Sequence, residues 1–462
     1  MSELHWLSIA EASEKLRRRA LTSVALTEAH LVRIEARDGA LKSYARVTAA
    51  RALDDAKAAD AEIAAGRWRG ALHGIPIALK DLCDTAGIAT AGGMTVHAQR
   101  VPERDSTVAR RLAEAGAVLL GKLQMTEGAY GAHHPKIPAP VSPWNDAYWV
   151  GSSSSGSGVA TAAGLCMASL GSDTGGSIRY PSAANGLSGV KPTWGRVSRA
   201  GVLPLADSLD HVGPMARSAL DAAIVLGAIA GADPDDPTAS PHPVDDYTRA
   251  CARGVLGRSV GLPTNLAAID DDVRGALDRA AEVLRAAGAR TVEVALPPLD
   301  DAARDWMPMC AVEAALAHQA TYPHRASEYG QVLADLLDLG RRLSALDLAR
   351  LNQRRAAVTG GFDRLFAEVD LLLLPAIPAA AYKLAEMAPA TRTPDSVARR
   401  MRYTAPLDMS GHPTLTLPGG FTADGMPVGF QIAGRRFAEA DVLAAGHAFQ
   451  RATDWHLKRP AT

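Results

Sequence analysis

Three segments of this chain hold residue types that together could carry out acyl transfer: Gly74-Ile-Pro-Ile-Ala-Leu-Lys80-Asp81, Gly151-Ser-Ser-Ser-Ser-Gly-Ser-Gly158 and Gly171-Ser-Asp-Thr-Gly-Gly-Ser177-Ile-Arg179. Glycines let a backbone fold tightly enough to aim successive N–H groups at one point, and such a point can hold an oxyanion. Ser177, at the end of the Gly175-Gly176 turn, can then attack a carbonyl whose oxygen the neighbouring donors receive. A serine nucleophile needs a base. Lys80 ends an apolar, strand-like run, where desolvation lowers a lysine pKa and leaves the amine able to accept a proton. Each segment also has a plainer reading: a solvated strand end, a flexible Gly/Ser linker, a simple glycine turn. Context opposes the linker. No charged residue occurs between Asp146 and Asp173, and the serines lead straight into an apolar, helix-like segment at 159–170 that must be buried. Their hydroxyls are therefore expected to face an interior site.

Other motifs fail on their chemistry. Gly116-Ala-Val-Leu-Leu-Gly-Lys122-Leu123 nearly spells a phosphate-binding loop, but Leu123 stands where a magnesium-holding Ser or Thr is required. Ser188-Gly-Val-Lys191 matches the S-x-x-K of penicillin-recognising enzymes without the S-D-N and K-T-G that accompany it, and there is no G-x-S-x-G elbow. His133-His134-Pro135 is the one histidine cluster. Adjacent side chains diverge, so it reads as a polar loop rather than a metal site.

The elements that must position these residues alternate between strand and helix. Segment 259–263 reads as a strand, 270–287 as a helix with an acidic start and a Gly288 stop, and 291–296 as a second strand. Ser106 can cap a helix running to Glu114, with a strand at 117–120, and Ser218-x-x-Asp221 opens another helix. The expected class is α/β. Residues 231–243, rich in Asp and Pro, read as a surface connection or a domain boundary, and 302–368 as a mainly helical cap.

Bulk properties agree with a globular enzyme. The 462 residues are 47% hydrophobic and 21% charged with a net charge of -1, so nothing demands nucleic acid. Met1-Ser-Glu-Leu-His5 lacks a secretory signal, and Ser8-x-x-Glu11 reads as a helix capping box, which makes a cytoplasmic location the expectation. The Gly and Ser clusters argue against a membrane span in the uncharged stretch. Cys83, Cys166, Cys251 and Cys310 lie far apart, as buried thiols rather than disulfides or zinc ligands.

Taken together, these motifs resemble the amidase signature enzymes, a family with a Ser–cis-Ser–Lys triad. The resemblance extends to Gly189-Val-Lys-Pro-Thr-Trp-Gly-Arg-Val-Ser198, Asp210-His-Val-Gly-Pro214 and Gly425-Met-Pro-Val-Gly-Phe-Gln431, and so runs over nearly the whole chain. It implies a single large domain over 1–462, a twisted mixed β-sheet covered by helices, with N-terminal helices at about 8–65 and a signature core at about 70–215. It implies Ser177 as nucleophile and Lys80 as base. The bridging serine of the family lies 24 residues before the nucleophile, which is Ser153, leaving Ser152 and Ser154 as weaker candidates. Neutral Lys80 would take a proton from Ser153 and Ser153 one from Ser177. Backbone N–H groups of Thr174, Gly175, Gly176 and Ser177 would form the oxyanion hole, with no metal or organic cofactor. Asp173 and Arg179 would brace the turn.

The implied activity is hydrolysis of a small carboxylic amide through an acyl-enzyme. Carbamate or aryl anilide hydrolysis uses the same triad, and a third reading is the glutamine-hydrolysing component of a tRNA-dependent amidotransferase. The stand-alone enzyme needs no nucleic acid or membrane partner, and a homo-oligomer is left open. Substrate-pocket residues are expected in 128–149 and 302–351, with His133, His134, Trp144, Trp149, Trp306 and Tyr322 as candidates. The absence of a charge cluster there favours a neutral or aromatic substrate.

Overall fold

The computed structural model describes residues 3–267, 269–387 and 393–461. The strands are β1 (Tyr44–Val47), β2 (Pro76–Lys80), β3 (Val118–Leu123), β4 (Ala168–Asp173), β5 (Ser188–Lys191), β6 (His211–Ala216), β7 (Ser259–Pro263), β8 (Arg290–Val294), β9 (Leu371–Pro375), β10 (Thr414–Phe421) and β11 (Pro427–Gly434). They form an 11-stranded sheet in the order β1-β3-β2-β4-β6-β5-β10-β11-β9-β7-β8. The sheet is mixed: β2 runs parallel to β3 and β4, and β7 parallel to β8 and β9, while the central pairings through β6, β5, β10 and β11 are antiparallel.

Both faces of the sheet are covered. Ile77 and Leu79 enter one core cluster and Ala78 another; Leu371 and Leu373 likewise part from Leu372 and Leu374. Strands buried on two sides read as continuous apolar runs, which is why Pro76–Lys80 and Leu371–Pro375 show no alternation.

The expected βαβ unit is present, with β7 and β8 parallel around the helix Asp271–Ala286. The caps at Ser8, Ser106 and Ser218 form, each hydroxyl accepting a backbone N–H of the first turn. The apolar segment 159–170 is not one helix. Its helix is Ser155–Ala162, and its end is the start of β4. Gly164 turns the chain at φ +70, where a side chain would meet the Trp6 ring at 3.1 Å. A wholly buried helix and a wholly buried strand have the same uniform apolar pattern, so periodicity cannot separate them.

Segment 231–243 is a tethered connection. Asp233 accepts from Thr107 Oγ1 at 2.6 Å and Ser198 Oγ at 2.5 Å, and Asp236 from Arg199 N at 2.7 Å. Lys122 lies buried inside β3 and donates to Cys83 O at 2.5 Å and Thr90 Oγ1 at 2.7 Å, far from a phosphate-loop arrangement. The region 302–368 contains the helices Asp300–Ala317, Gln331–Arg342 and Ala345–Glu368. Among the described residues no helix is long and apolar enough to cross a membrane.

Candidate active site

Parallel strands end on the same side of a sheet, and the β2–β4 pairing sets Lys80 beside the last residues of β4. Lys80 Nζ lies 2.6 Å from Ser153 Oγ, 2.8 Å from Ser172 Oγ and 3.0 Å from Ser154 Oγ. The side chain is fully buried, and among the described residues it has no salt bridge. Burial pulls its pKa down to about 7, against smaller raising effects from Cys83, Asp173 and Asp210. At neutral pH a substantial fraction of this amine is unprotonated.

The serines of the first Gly/Ser turn differ in their partners, although Ser153 and Ser154 share Lys80. Ser152 Oγ donates to Gly131 O at 3.1 Å and lines a cavity; the Ser152–Ser153 peptide is cis. Ser154 Oγ, besides meeting Lys80, donates to Ser172 O at 3.2 Å, and Ser155 Oγ lies 3.1 Å from His133 Nε2. The two turns are joined where Ser154 N donates to Ser177 O at 3.3 Å. The chain at Ser153–Ser154 thus runs beside Ser177, with Lys80 on the Ser153 hydroxyl.

The second turn is held from several sides. Asp173 accepts from the N–H of Gly176 at 2.6 Å, of Ile178 at 2.9 Å and of Arg179 at 3.2 Å. Arg179, fully buried, donates to Asp173 Oδ1 at 2.9 Å and to Asp408 Oδ2 at 2.5 Å. Burial works to raise both carboxyls. At Asp173 the Arg179 guanidinium outweighs it and holds the pKa well below the usual carboxylate range, whereas Asp408 is left well above it. The carbonyl oxygens of the turn are pinned as well: Trp306 Nε1 donates to Thr174 O at 2.6 Å, and Thr404 Oγ1 to Gly175 O at 2.7 Å. In a trans peptide the C=O and the following N–H point in opposite directions, so these bonds aim the N–H of Gly175 and Gly176 away from Trp306 and Thr404. The N–H of Gly176 is thereby committed to Asp173. Gly175 has no room for a side chain, since a Cβ would lie 2.3 Å from Met401 Cε and 2.7 Å from the Trp306 ring.

Ser177 opens onto a cavity of about 260 Å³ whose wall includes Tyr130, Trp149, Tyr180, Trp306, Val397 and Arg400. Tyr130 and Trp306 stack at 6.4 Å between centroids, and Trp149 meets Tyr180 at 5.9 Å. Of the lining candidates from the sequence, His133, Trp149 and Trp306 are in this wall. The other three are elsewhere: Trp144 donates to Asn185 O, Tyr322 to Asp338, and His134 Nδ1 accepts from Lys136 N. Sequence reasoning missed Val397, Arg400 and Met401, which come from the helix Pro394–Met401, outside both expected windows. Their spacing of three and four residues along an amphipathic helix is the signal that could have flagged them.

Known proteins resemble this chain along nearly its whole length. The family model described as Amidase matches residues 25–443. Over 455 residues the chain is 47% identical to "Putative amidase AmiD" of Mycobacterium tuberculosis, covering 98% of this chain and 96% of that protein. It is 38% identical over 491 residues to a glutamyl-tRNA(Gln) amidotransferase component of Chloroflexus aggregans, covering 100% of this chain and 99% of the relative. The structure of the peptide amidase from Stenotrophomonas maltophilia superimposes with a TM-score of 0.85 at 29% identity, over 98% of each chain. With a buried lysine among serine hydroxyls, a braced Gly-Gly-Ser turn and a family match along nearly its whole length, this chain belongs to the amidase signature family of hydrolases.

Proposed function

We propose that this protein hydrolyses a small-molecule carboxylic amide through an acyl-enzyme on Ser177. The observation that carries the reading is Lys80 Nζ, buried and without a carboxylate partner among the described residues, 2.6 Å from Ser153 Oγ. An ammonium in that setting is costly, so the neutral amine is favoured and can act as a base. Lys80 takes the Ser153 proton as Ser153 takes that of Ser177, and Ser177 Oγ bonds to the amide carbon. N–H groups of Thr174, Gly175 and Ser177 receive the oxyanion, each such donor being worth roughly 3 kcal/mol. The C–N bond breaks as the proton returns through Ser153 to the leaving nitrogen. Water then attacks the ester by the same relay, releasing the acid and restoring Ser177.

The largely apolar, aromatic wall suits an amide with an aryl or hydrocarbon body, and an anilide or carbamate would react on the same groups. Glutamine hydrolysis for a tRNA-bound partner has the 38% identity to an amidotransferase component in its favour. Against it, the described cavity wall carries no carboxylate to receive the α-ammonium of glutamine. The test is a Ser177→Ala variant assayed on a panel of primary amides, anilides, carbamates and glutamine, with mass spectrometry of the wild type after a fluorophosphonate. The expected result is loss of turnover by at least a thousandfold in a folded variant, and an adduct on Ser177. Turnover retained in Ser177→Ala would reject the reading.

A further inference from the structure

Lys80 Nζ meets three hydroxyls, and the relay proposed above uses one of them. The other two are Ser154 Oγ at 3.0 Å and Ser172 Oγ at 2.8 Å, both on buried residues. A neutral amine has two N–H donors and one lone pair, so full pairing with three hydroxyls has two of them accept and one donate. Ser154 is committed to accepting. Its oxygen also receives Ser172 N–H at 3.2 Å, and its one proton goes to Ser172 O at 3.2 Å, which leaves none for the amine. The donor is therefore Ser153 or Ser172. Among the described residues Ser172 Oγ has Lys80 as its one hydrogen-bond partner. Ser172 also borders a cavity of about 120 Å³ whose wall includes Asp210, Arg199 and Leu205. That volume has room for water beside a carboxylate, so the Ser172 proton has somewhere other than Lys80 to go.

We infer that Ser172 is a positioning residue: by accepting one N–H of Lys80 while Ser154 accepts the other, it turns the amine lone pair onto Ser153 Oγ. This rests on the amidase reading above and adds to it what gives the relay its direction. Without Ser172, the second N–H competes for the Ser153 oxygen and the lone pair loses its aim. The ammonium loses more than the amine, since its three donors match three hydroxyls and a charge-assisted bond is the stronger one. The titratable groups facing Lys80 are Cys83 after β2, Asp173 at the end of β4, Asp210 ahead of β6 and His133 between β3 and β4. Burial pushes Cys83 up to about 12 and pulls His133 down to about 4, so both are uncharged near neutrality, and Asp173 is bound to Arg179.

Ser172→Val and Ser172→Thr have the same shape and differ in the hydroxyl alone, so together they test the role. Two measurements are made on each folded variant. One is the rate at which a fluorophosphonate modifies Ser177 across pH, which needs no knowledge of the natural substrate. The other is the titration of Lys80 by nitrogen NMR of lysine-labelled protein, its signal assigned by loss in Lys80→Arg. Burial pushes Asp210 up to about 6, and the Lys80 signal separates the two midpoints. In Ser172→Val the plateau rate at high pH is expected to fall roughly tenfold or more, and the Lys80 midpoint to move down by about half a pH unit or more. Ser172→Thr should restore both. If neither variant folds, Ser172→Ala is read in the same way. An unmoved Lys80 midpoint in Ser172→Val, whether or not the rate falls, would overturn the inference, because lost packing alone leaves the titration of the amine where it was. So would a moved midpoint with an unchanged rate. If the wild type takes no label, the serine reading fails, and the Lys80 midpoint still decides whether Ser172 holds the amine.

Discussion

Lys80 sits where a strand would ordinarily surface, yet no part of it reaches solvent. Its pKa of about 7, against an ordinary 10.5, has burial as its main cause and makes two measurements informative. In the proposed mechanism the base is the neutral amine, so kcat/KM is expected to rise through about pH 7 and level off above it, as read from a pH–rate profile. Lys80→Arg should be nearly inactive at every pH, because a guanidinium stays protonated; wild-type turnover in a folded Lys80→Arg protein would sink the assignment. Stability has a definite sign. The unfolded chain holds the lysine proton more tightly than the folded one, so the cost of burying the ammonium is full below about pH 7 and fades towards pH 10.5. Urea midpoints of the wild type should therefore gain on those of Lys80→Met between pH 7 and pH 9.

At the scale of elements, the reacting turn depends on helices far away in the chain. Trp306, in the helix Asp300–Ala317, pins Thr174 O and so aims the Gly175 N–H. Trp306→Phe keeps a ring against Gly175 but removes the donor. The expected outcome is a fall of roughly tenfold or more in kcat with a smaller change in KM, since a loosened oxyanion donor is felt chiefly in the transition state. An equal loss in binding of a non-reacting substrate analogue would assign Trp306 to the pocket wall alone.

What could be read before folding was local. Ser177 and Lys80 stand out because glycines precede one and an apolar run delivers the other; the caps at Ser8, Ser106 and Ser218 follow from hydroxyls placed before amphipathic segments. Ser154 meeting Lys80 beside Ser153 could not be read, since four equal hydroxyls differ only in where the turn points them. Nor could the commitment of Gly176 N–H to Asp173, which depends on an Asp–Arg–Asp cluster joining residues more than 200 positions apart. The helix assigned to 159–170 failed for a different reason, burial on every side erasing the period that tells helix from strand. Arg400 lay outside the expected windows because the helix that carries it reaches the cavity only through the fold.

For the molecule as a whole, the Asp173–Arg179–Asp408 cluster joins β4 to the C-terminal part of the chain, with Arg179 also donating to Thr404 O at 3.0 Å. Removing one charge from a buried ion cluster leaves its partner uncompensated, typically at a cost of about 3–5 kcal/mol. Asp173→Asn is expected to lower the urea unfolding free energy by an amount of that order and to free the Gly176 N–H, reducing activity below what stability alone explains. A variant as stable as the wild type would show that the cluster is not a fastening. The placement of this cluster has a further consequence. Lys80, Ser153 and Ser177 all lie in the first two-fifths of the chain, yet Thr404 holds Gly175 O, and Gln431, in β11, donates to both Pro375 O at 2.8 Å and Tyr403 O at 2.7 Å. β5, just after Ser177, pairs on one side with β6 and on the other with β10, more than 200 residues later. A nascent or proteolytically shortened chain that already contains the three proposed reacting side chains is therefore expected to be inert, so that under the proposed mechanism turnover would report that synthesis and folding have both run to the last strand.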